Sequence, residues 1–151
     1  MGTYAKVTDV QSRLPYRTID QESAPSLADV QNWIDEAEQQ LNAIMLAAGL
    51  PAPYTTDPAR IILRAWVADY CEGRLKSAWA ASGGEESDSG ETLLEKFNDR
   101  LEDIANRSPK YAALFGVPEG SASTVKLRSN VTDTSGEVTN RDPVFTMGDD
   151  L

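Results

Sequence analysis

The fold is decided by residues 26–51, which read SLADVQNWIDEAEQQLNAIMLAAGLP. Apolar residues recur there at alternating spacings of three and four, at Leu27, Val30, Ile34, Ala37, Leu41, Ile44 and Ala48. This spacing places one apolar stripe along an amphipathic helix. Ser26 and Asp29 form a capping sequence at its start, and Gly49 with Pro51 ends it. We therefore predict a helix over 26–48. Its opposite face is expected to be exposed to solvent and consists of Asp35, Glu36, Glu38, Gln39, Gln40 and Asn42.

Two further long helices follow. Residues 57–81 begin with a proline suited to the first helical position and are apolar on most sides, which is typical of a central bundle helix or of one covered by another subunit. Gly73 interrupts this helix and indicates a close helix crossing or a bend. Residues 82–90 are polar and glycine-rich, and they predict a linker that buries nothing. A third long helix is predicted over 91–107, with one face made of Leu94, Phe97, Leu101, Ile104 and Ala105.

Short elements flank these helices. Thr8 is the expected N-cap of a short helix that Pro15 ends. Ser108 and Pro109 precede a last short turn over 111–115. From residue 119 onward the chain is rich in Ser, Thr, Asp and Gly and has no helical period. We predict an all-α helical bundle body over 1–118, with about three long helices plus short helices, and an extended non-helical C-terminal arm over 119–151 that is ordered only against a partner.

Composition restricts the chemistry. The 151 residues include 14 Lys+Arg and 24 Asp+Glu without any His, a net charge of −10, which argues against tight binding to nucleic-acid phosphates. A single cysteine excludes an intrachain disulfide and a multi-cysteine metal cage, and the absence of His removes the commonest general base and metal ligand. We predict no enzyme activity, no cofactor and no metal site. Because no apolar run approaches ~18 residues and the first residues lack a signal-peptide pattern, we also expect no membrane association.

Few residues are candidates for a site. Cys71 lies on an apolar helix face without an activating partner, so a core role is favoured over a nucleophile. The acidic pairs predict solvated surface rather than acid–base or metal chemistry, and they are Asp35/Glu36, Glu85/Glu86, Glu102/Asp103 and Asp149/Asp150. Trp66 and Trp79 favour core packing or subunit contact, and Trp33 lies at the edge of the apolar stripe. We therefore keep all three tryptophans as a candidate subunit interface.

The layout resembles the head–tail connector proteins of tailed bacteriophages, also called adaptor or head-completion proteins. The resemblance lies in residues 4–14, YAKVTDVQSRL, and in residues 27–38, LADVQNWIDEAE. It continues in the apolar helix from Ala59 to Tyr70 and in a polar tail that contains Asp142-Pro143-Val144-Phe145. It covers the body to about residue 118, and the tail by its general character.

The resemblance implies a structural virion protein. Copies would form a ring, typically of twelve, under the portal at the capsid vertex, after synthesis in the host cytoplasm. The ring would extend the DNA channel, let genomic DNA pass without specific binding, and offer a platform to the stopper or tail-terminator proteins. Within the arm we expect Arg141, Asp142, Pro143, Val144 and Phe145 to dock on a partner such as the portal, with Val144 and Phe145 as the apolar anchors.

The sequence alone also allows a second function. Small acidic helical proteins can imitate the charge of DNA and occupy a nuclease or a repressor. Such a regulatory binder would align carboxylates on one face, whereas the charges here are dispersed along the sequence: residues 1–118 hold 11 basic and 18 acidic residues, and the tail holds 3 and 6. This dispersal of the charged residues favours the connector protein over the regulatory binder.

Overall fold

The computed structural model describes residues 3–83 and 87–117. In these ranges the protein is all-helical, and no strand is present. The five helices are α1 (Val7–Gln11), α2 (Leu27–Ala47), α3 (Ala59–Ala81), α4 (Ser87–Asn106) and α5 (Ser108–Leu114). The predicted all-α bundle with three long helices is therefore confirmed. The arm predicted over 119–151 lies outside the described residues.

Helix α2 forms as its cap and stripe predict. The Ser26 hydroxyl accepts the Asp29 N–H at 3.3 Å, and the Asp29 carboxylate accepts the Ser26 N–H at 2.9 Å. At the other end Gly49 adopts a left-handed φ of 75°, so that the Leu50 N–H reaches the Met45 carbonyl at 2.8 Å.

The buried stripe of α2 departs from the predicted one at both ends. Leu41 is fully buried, but Leu27 is 41% exposed, and Met45 takes the buried position predicted for Ile44, which is half-buried with Ala48. A strict three-and-four repeat drifts by about 20° per heptad around a straight α-helix. Over three heptads the sequence pattern therefore rotates away from the core at its ends.

Helix α3 is the central helix, since α1, α2 and α4 all pack on it. Leu63, Val67, Cys71 and Leu75 are fully buried, and Tyr70 stacks on Phe97 of α4 with ring centroids 4.7 Å apart. Of the two alternatives for such an apolar helix, the central position in its own bundle is the one observed.

The crossing of α3 and α4 corrects the predicted linker. Helix α4 begins at Ser87, and Gly90 is buried within it instead of lying in a loop. A Cβ on Gly90 would lie 2.9 Å from the Gly73 carbonyl oxygen, and a Cβ on Gly73 would lie 3.0 Å from the Gly90 carbonyl oxygen. The two glycines thus let the helix backbones touch, so Gly73 marks a crossing. In the sequence, the glycines of residues 82–90 indicate a linker. At Gly90 the missing side chain is instead what allows α4 to contact the backbone of α3.

The short helices also differ in detail from the prediction. Thr8 is not the cap of α1, because Lys6 occupies that position and donates its N–H to the Asp9 carboxylate at 2.8 Å. Helix α5 starts three residues earlier than the predicted turn, with Pro109 in its first turn. On α4, Phe97 and Ile104 are buried as predicted, whereas Ala105 is exposed.

Candidate functional site

A buried carboxylate holds the first described residues against α2. Glu38 is only 5% exposed, and its carboxylate accepts the N–H groups of Thr3, Tyr4 and Ala5 at 2.6, 2.7 and 3.0 Å. Charge-assisted hydrogen bonds of this kind offset the cost of burying a charge. The prediction that Glu38 is exposed to solvent was wrong, because residues 3–5, which lie 33 to 35 positions earlier in the chain, cover that face of α2.

Tyr4 extends this contact to the loop before α3. Its hydroxyl donates to Asn42 and accepts the Tyr54 N–H, the latter at 3.1 Å. Burial raises the pKa of the Tyr4 phenol, and it raises that of Tyr54 to about 12. Nothing in the sequence around Glu38 indicates this cluster, and the only local signal is the apolar pair Tyr4-Ala5.

Ion pairs join the segment after α1 and helix α4 to the same carboxylate of α3. Asp69 on α3 pairs with Arg13, which follows α1, and with Arg100 of α4 at 2.7 Å. Arg13 also donates to the Ala65 carbonyl at 3.2 Å and lies 3.7 Å from Glu72. Asp69 is therefore a shared ion-pair partner of the segment after α1 and of α4.

Each tryptophan lies under an arginine of its own chain. Arg17 stacks over Trp79 at 4.2 Å, while Arg74 covers Trp33 and Arg100 covers Trp66, each at 5.3 Å. Trp79 is 9% exposed and donates its indole N–H to the Ala24 carbonyl at 3.2 Å, so it belongs to the core.

The other two tryptophans keep an exposed edge. Trp33 and Trp66 are half-buried. Trp66 packs edge-on against Tyr111 and lies 6.2 Å from Phe115, and so it connects α3 to α5. A subunit interface at these two side chains remains a prediction.

The groups with nucleophilic or metal-binding chemistry are dispersed. Cys71 is fully buried, and burial raises its pKa to about 12, so the neutral thiol is a core group. Among the residues that the structure describes, no three His, Cys, Asp or Glu side chains come together as metal ligands would. Asp35 accepts a hydrogen bond from Gln31, and Glu36 lies 3.8 Å from Arg74.

The acidic pairs beyond α3 fall in different surroundings. Asp103 accepts hydrogen bonds from Tyr111 and Lys110, at 2.7 and 3.0 Å, and these bonds lower its pKa. Its neighbour Glu102 is exposed. The pairs Glu85/Glu86 and Asp149/Asp150 lie outside the described residues, as do the predicted docking residues Arg141, Asp142, Pro143, Val144 and Phe145.

One surface of α4 is more ordered in charge than the sequence suggests. Glu91, Glu95, Asp99 and Glu102 are all exposed, and at 100° per residue they fall within an arc of about 80°. None of the four forms an ion pair with a residue that the structure describes. We call these four residues the carboxylate row. The expectation that the carboxylates are dispersed was therefore wrong for this helix.

Comparisons of the chain with protein-family models, with curated proteins and with solved structures found no match. In the described ranges, none of the helices combines the length and the apolar character that a bilayer crossing requires.

Proposed function

We propose that this chain is a head–tail adaptor of a tailed bacteriophage, in which copies form a ring beneath the portal. One observation carries the proposal: the three segments that resemble connector proteins pack into one unit. Tyr4 and Ala5 of the first segment bind Glu38 of the second, and Arg13 of the first binds Asp69 in the third. The residues behind the resemblance thus form the structural centre of the body.

The charge of the chain supports a channel role. A ring of copies at −10 each would present a negative lumen that repels DNA phosphates, so that DNA slides through without being held. The ring would extend the portal channel at the capsid vertex and give the stopper or tail-terminator proteins a platform. The arm, through Val144 and Phe145, would dock on the portal or a neighbouring copy.

The test is assembly on the portal. The full chain is mixed with the portal protein of the same phage, and complexes are measured by mass and imaged in negative stain. We expect rings seated on the portal. Phe145→Ala weakens this binding, whereas Val131→Ala, a matched apolar truncation in the same arm, leaves it unchanged. A chain that neither binds the portal nor forms rings contradicts the proposal.

The carboxylate row favours a second candidate, an acidic regulatory binder that imitates DNA. Four unpaired carboxylates on one helix face can occupy the cationic groove of a DNA-binding protein. This candidate predicts a stable monomer that binds a basic protein, with duplex DNA competing for the same site. Binding that DNA does not displace contradicts it, and so does loss of the monomer to rings.

A further inference from the structure

A rigid turn presents one aromatic side chain wholly to solvent. Tyr16 is 98% exposed, the highest value among the large apolar side chains that the structure describes as exposed. It follows Pro15 in a turn closed by the Arg17 N–H to the Leu14 carbonyl at 3.2 Å. A tyrosine held on a braced turn is available as an interaction anchor, since tyrosine is enriched at interface centres.

The side chain of Gln11 holds this turn in place. Its amide nitrogen donates to the carbonyls of Leu14, at 3.1 Å, and Arg17, and its amide oxygen accepts the Ile19 N–H at 2.7 Å. The turn is therefore ordered before any partner arrives, which reduces the entropy that binding costs.

A second exposed apolar residue lies on the same side of α3. Ile61 is 49% exposed and lines a cleft of about 260 Å³ between α1 and α3, with Ala65 and Ala68 beside it. Arg64 borders this cleft and has one described ion-pair partner, Asp9, at 4.0 Å. We call the set Tyr16, Arg17, Ile61 and Arg64 the α1 flank. It combines two apolar groups with two cations, and the carboxylate of Asp9 lines the same cleft beside them.

The carboxylate row lies on the other side of the central helix. Helix α4 crosses α3 at Gly73, which lies about 120° around α3 from Ile61 at 100° per residue, so the two surfaces lie on different flanks. At a rise of about 1.5 Å per residue, the carboxylate row is about 17 Å long. On the α1 flank, the distance along α3 from Arg64 to Trp79, where Arg17 stacks, is about 22 Å by the same rise. The span between the two cations is therefore about 5 Å longer than the carboxylate row, a difference that the long arginine side chains can cover, and the two sets of charges are opposite in sign.

We propose that the α1 flank of one copy docks on the carboxylate row of a second copy. Arg17 and Arg64 would pair with the row, Ile61 would pack on its methylene groups, and the Tyr16 hydroxyl would donate to a carboxylate. Copies that carry −10 each repel one another unless carboxylates meet cations, and this arrangement brings them together. Because the two surfaces differ, the contact is heterologous, and such a contact forms a ring when the rotation between successive copies closes. The inference rests on the ring proposed above.

Self-association of the full chain tests the contact. We expect the mass from light scattering to rise with protein concentration and to fall with salt. Tyr16→Ala, Arg64→Glu and Glu95→Arg each weaken self-association at least about tenfold, as loss of an interface anchor does. Combining Arg64→Glu with Glu95→Arg in one chain restores part of the loss, because the exchanged charges attract again.

Matched controls separate the contact from general effects. Leu46→Ala, another exposed apolar truncation, and Glu22→Arg, the same charge reversal on a loop, do not weaken association, and circular dichroism shows every variant folded. If the wild-type chain stays monomeric yet binds the portal, or if the flank variants associate like the wild type, the contact is overturned and the adaptor function stands. If charge exchange restores association but no ring or portal complex forms, the contact stands and the adaptor function fails.

Discussion

At the scale of single residues, Glu38 shows how one carboxylate can position a whole segment. Its oxygens accept three consecutive backbone N–H groups, which otherwise have to find water. Removing the acceptor leaves these donors unsatisfied in a largely buried place. The stability of the body therefore depends on a residue that the hydrophobic pattern assigns to the surface.

We expect Glu38→Ala to lower the free energy of unfolding by about 2–4 kcal/mol, because several hydrogen bonds to a charged group are lost together. Urea denaturation measures the change. The matched control is Gln39→Ala, an exposed neighbour on the same helix, which should shift stability by less than about 0.5 kcal/mol. Equal midpoints for the two variants would show that the contact contributes nothing.

Cys71 gives the protein an alkaline limit. Burial raises its pKa from 9.0 to about 12, so the unfolded chain loses the thiol proton at lower pH than the folded one. The stability from this group is complete below pH 9 and is lost as pH rises toward 12. Tyr54 and Tyr111, whose pKa values are raised from 10.0 to about 12, add the same effect only above pH 10.

We therefore expect the free energy of unfolding to fall by about 1.4 kcal/mol in total between pH 8 and pH 10 through Cys71 alone. Urea unfolding at pH 8 and pH 10 measures this loss. Cys71→Ala starts from a lower stability but loses less between these two pH values. The same loss in both proteins would mean that another group titrates.

At the scale of elements, sequence reasoning succeeded wherever periodicity and capping agree. The start and end of α2 and the whole of α3 were predicted to within two residues. It failed at the start of α4, because Gly90 contributes a backbone contact rather than a side chain. It also failed at the ends of the α2 stripe, where a rigid heptad spacing does not follow a straight helix.

Leu41 and Leu27 belong to the same predicted stripe but differ in burial, and this difference leads to a prediction about stability. Leu41→Asp places a charge where the side chain is fully buried and should lower the free energy of unfolding by at least about 3 kcal/mol. Leu27→Asp, at the first position of the predicted stripe, should change the free energy of unfolding by less than about 1 kcal/mol, since the Leu27 side chain is 41% exposed. Thermal unfolding at fixed pH compares them. Similar midpoints would mean that the stripe is not the core face.

The α3–α4 crossing makes an equally direct prediction. At an exposed position inside a helix, replacing Gly by Ala stabilises the protein by about 1 kcal/mol. At Gly90 the added Cβ would meet the Ser77 hydroxyl oxygen at 2.8 Å as well as the Gly73 carbonyl oxygen, so the helices must separate. We expect Gly90→Ala to destabilise by about 1–3 kcal/mol, as overpacking does. A higher unfolding midpoint would show that the crossing yields without cost.

At the scale of the whole molecule, function is less visible in the sequence than fold. Each tryptophan that the sequence offers as an interface candidate has one face covered by Arg17, Arg74 or Arg100 of the same chain, and Trp33 and Trp66 keep an exposed edge. Tyr16, by contrast, is not among the residues that the sequence analysis selects. Its exposure depends on Gln11 bracing the turn, a contact that spacing does not reveal. Composition restricts the chemistry of a surface, whereas its geometry depends on packing.

The predicted division into a helical body and a C-terminal arm leads to the last prediction. The hydrophobic core of the described residues runs from Tyr4 to Phe115, with Val117 packed against it, so the body has its own core before residue 118. Truncation after Pro118 should keep the helical circular dichroism signal and shift the unfolding midpoint by only a few degrees. The arm has one aromatic residue, Phe145, and burying such a side chain contributes roughly 1.5–3 kcal/mol.

That modest contribution would repeat in every subunit of a closed ring, so that weak arm contacts add up to stable attachment. We therefore expect the truncated chain to stay folded but to lose portal binding, measured by pull-down beside the full chain. The matched control is the full chain with Val131→Ala, which should bind as the wild type does. A truncated chain that remains helical and binds the portal with unchanged affinity would show that docking is a property of the helical body.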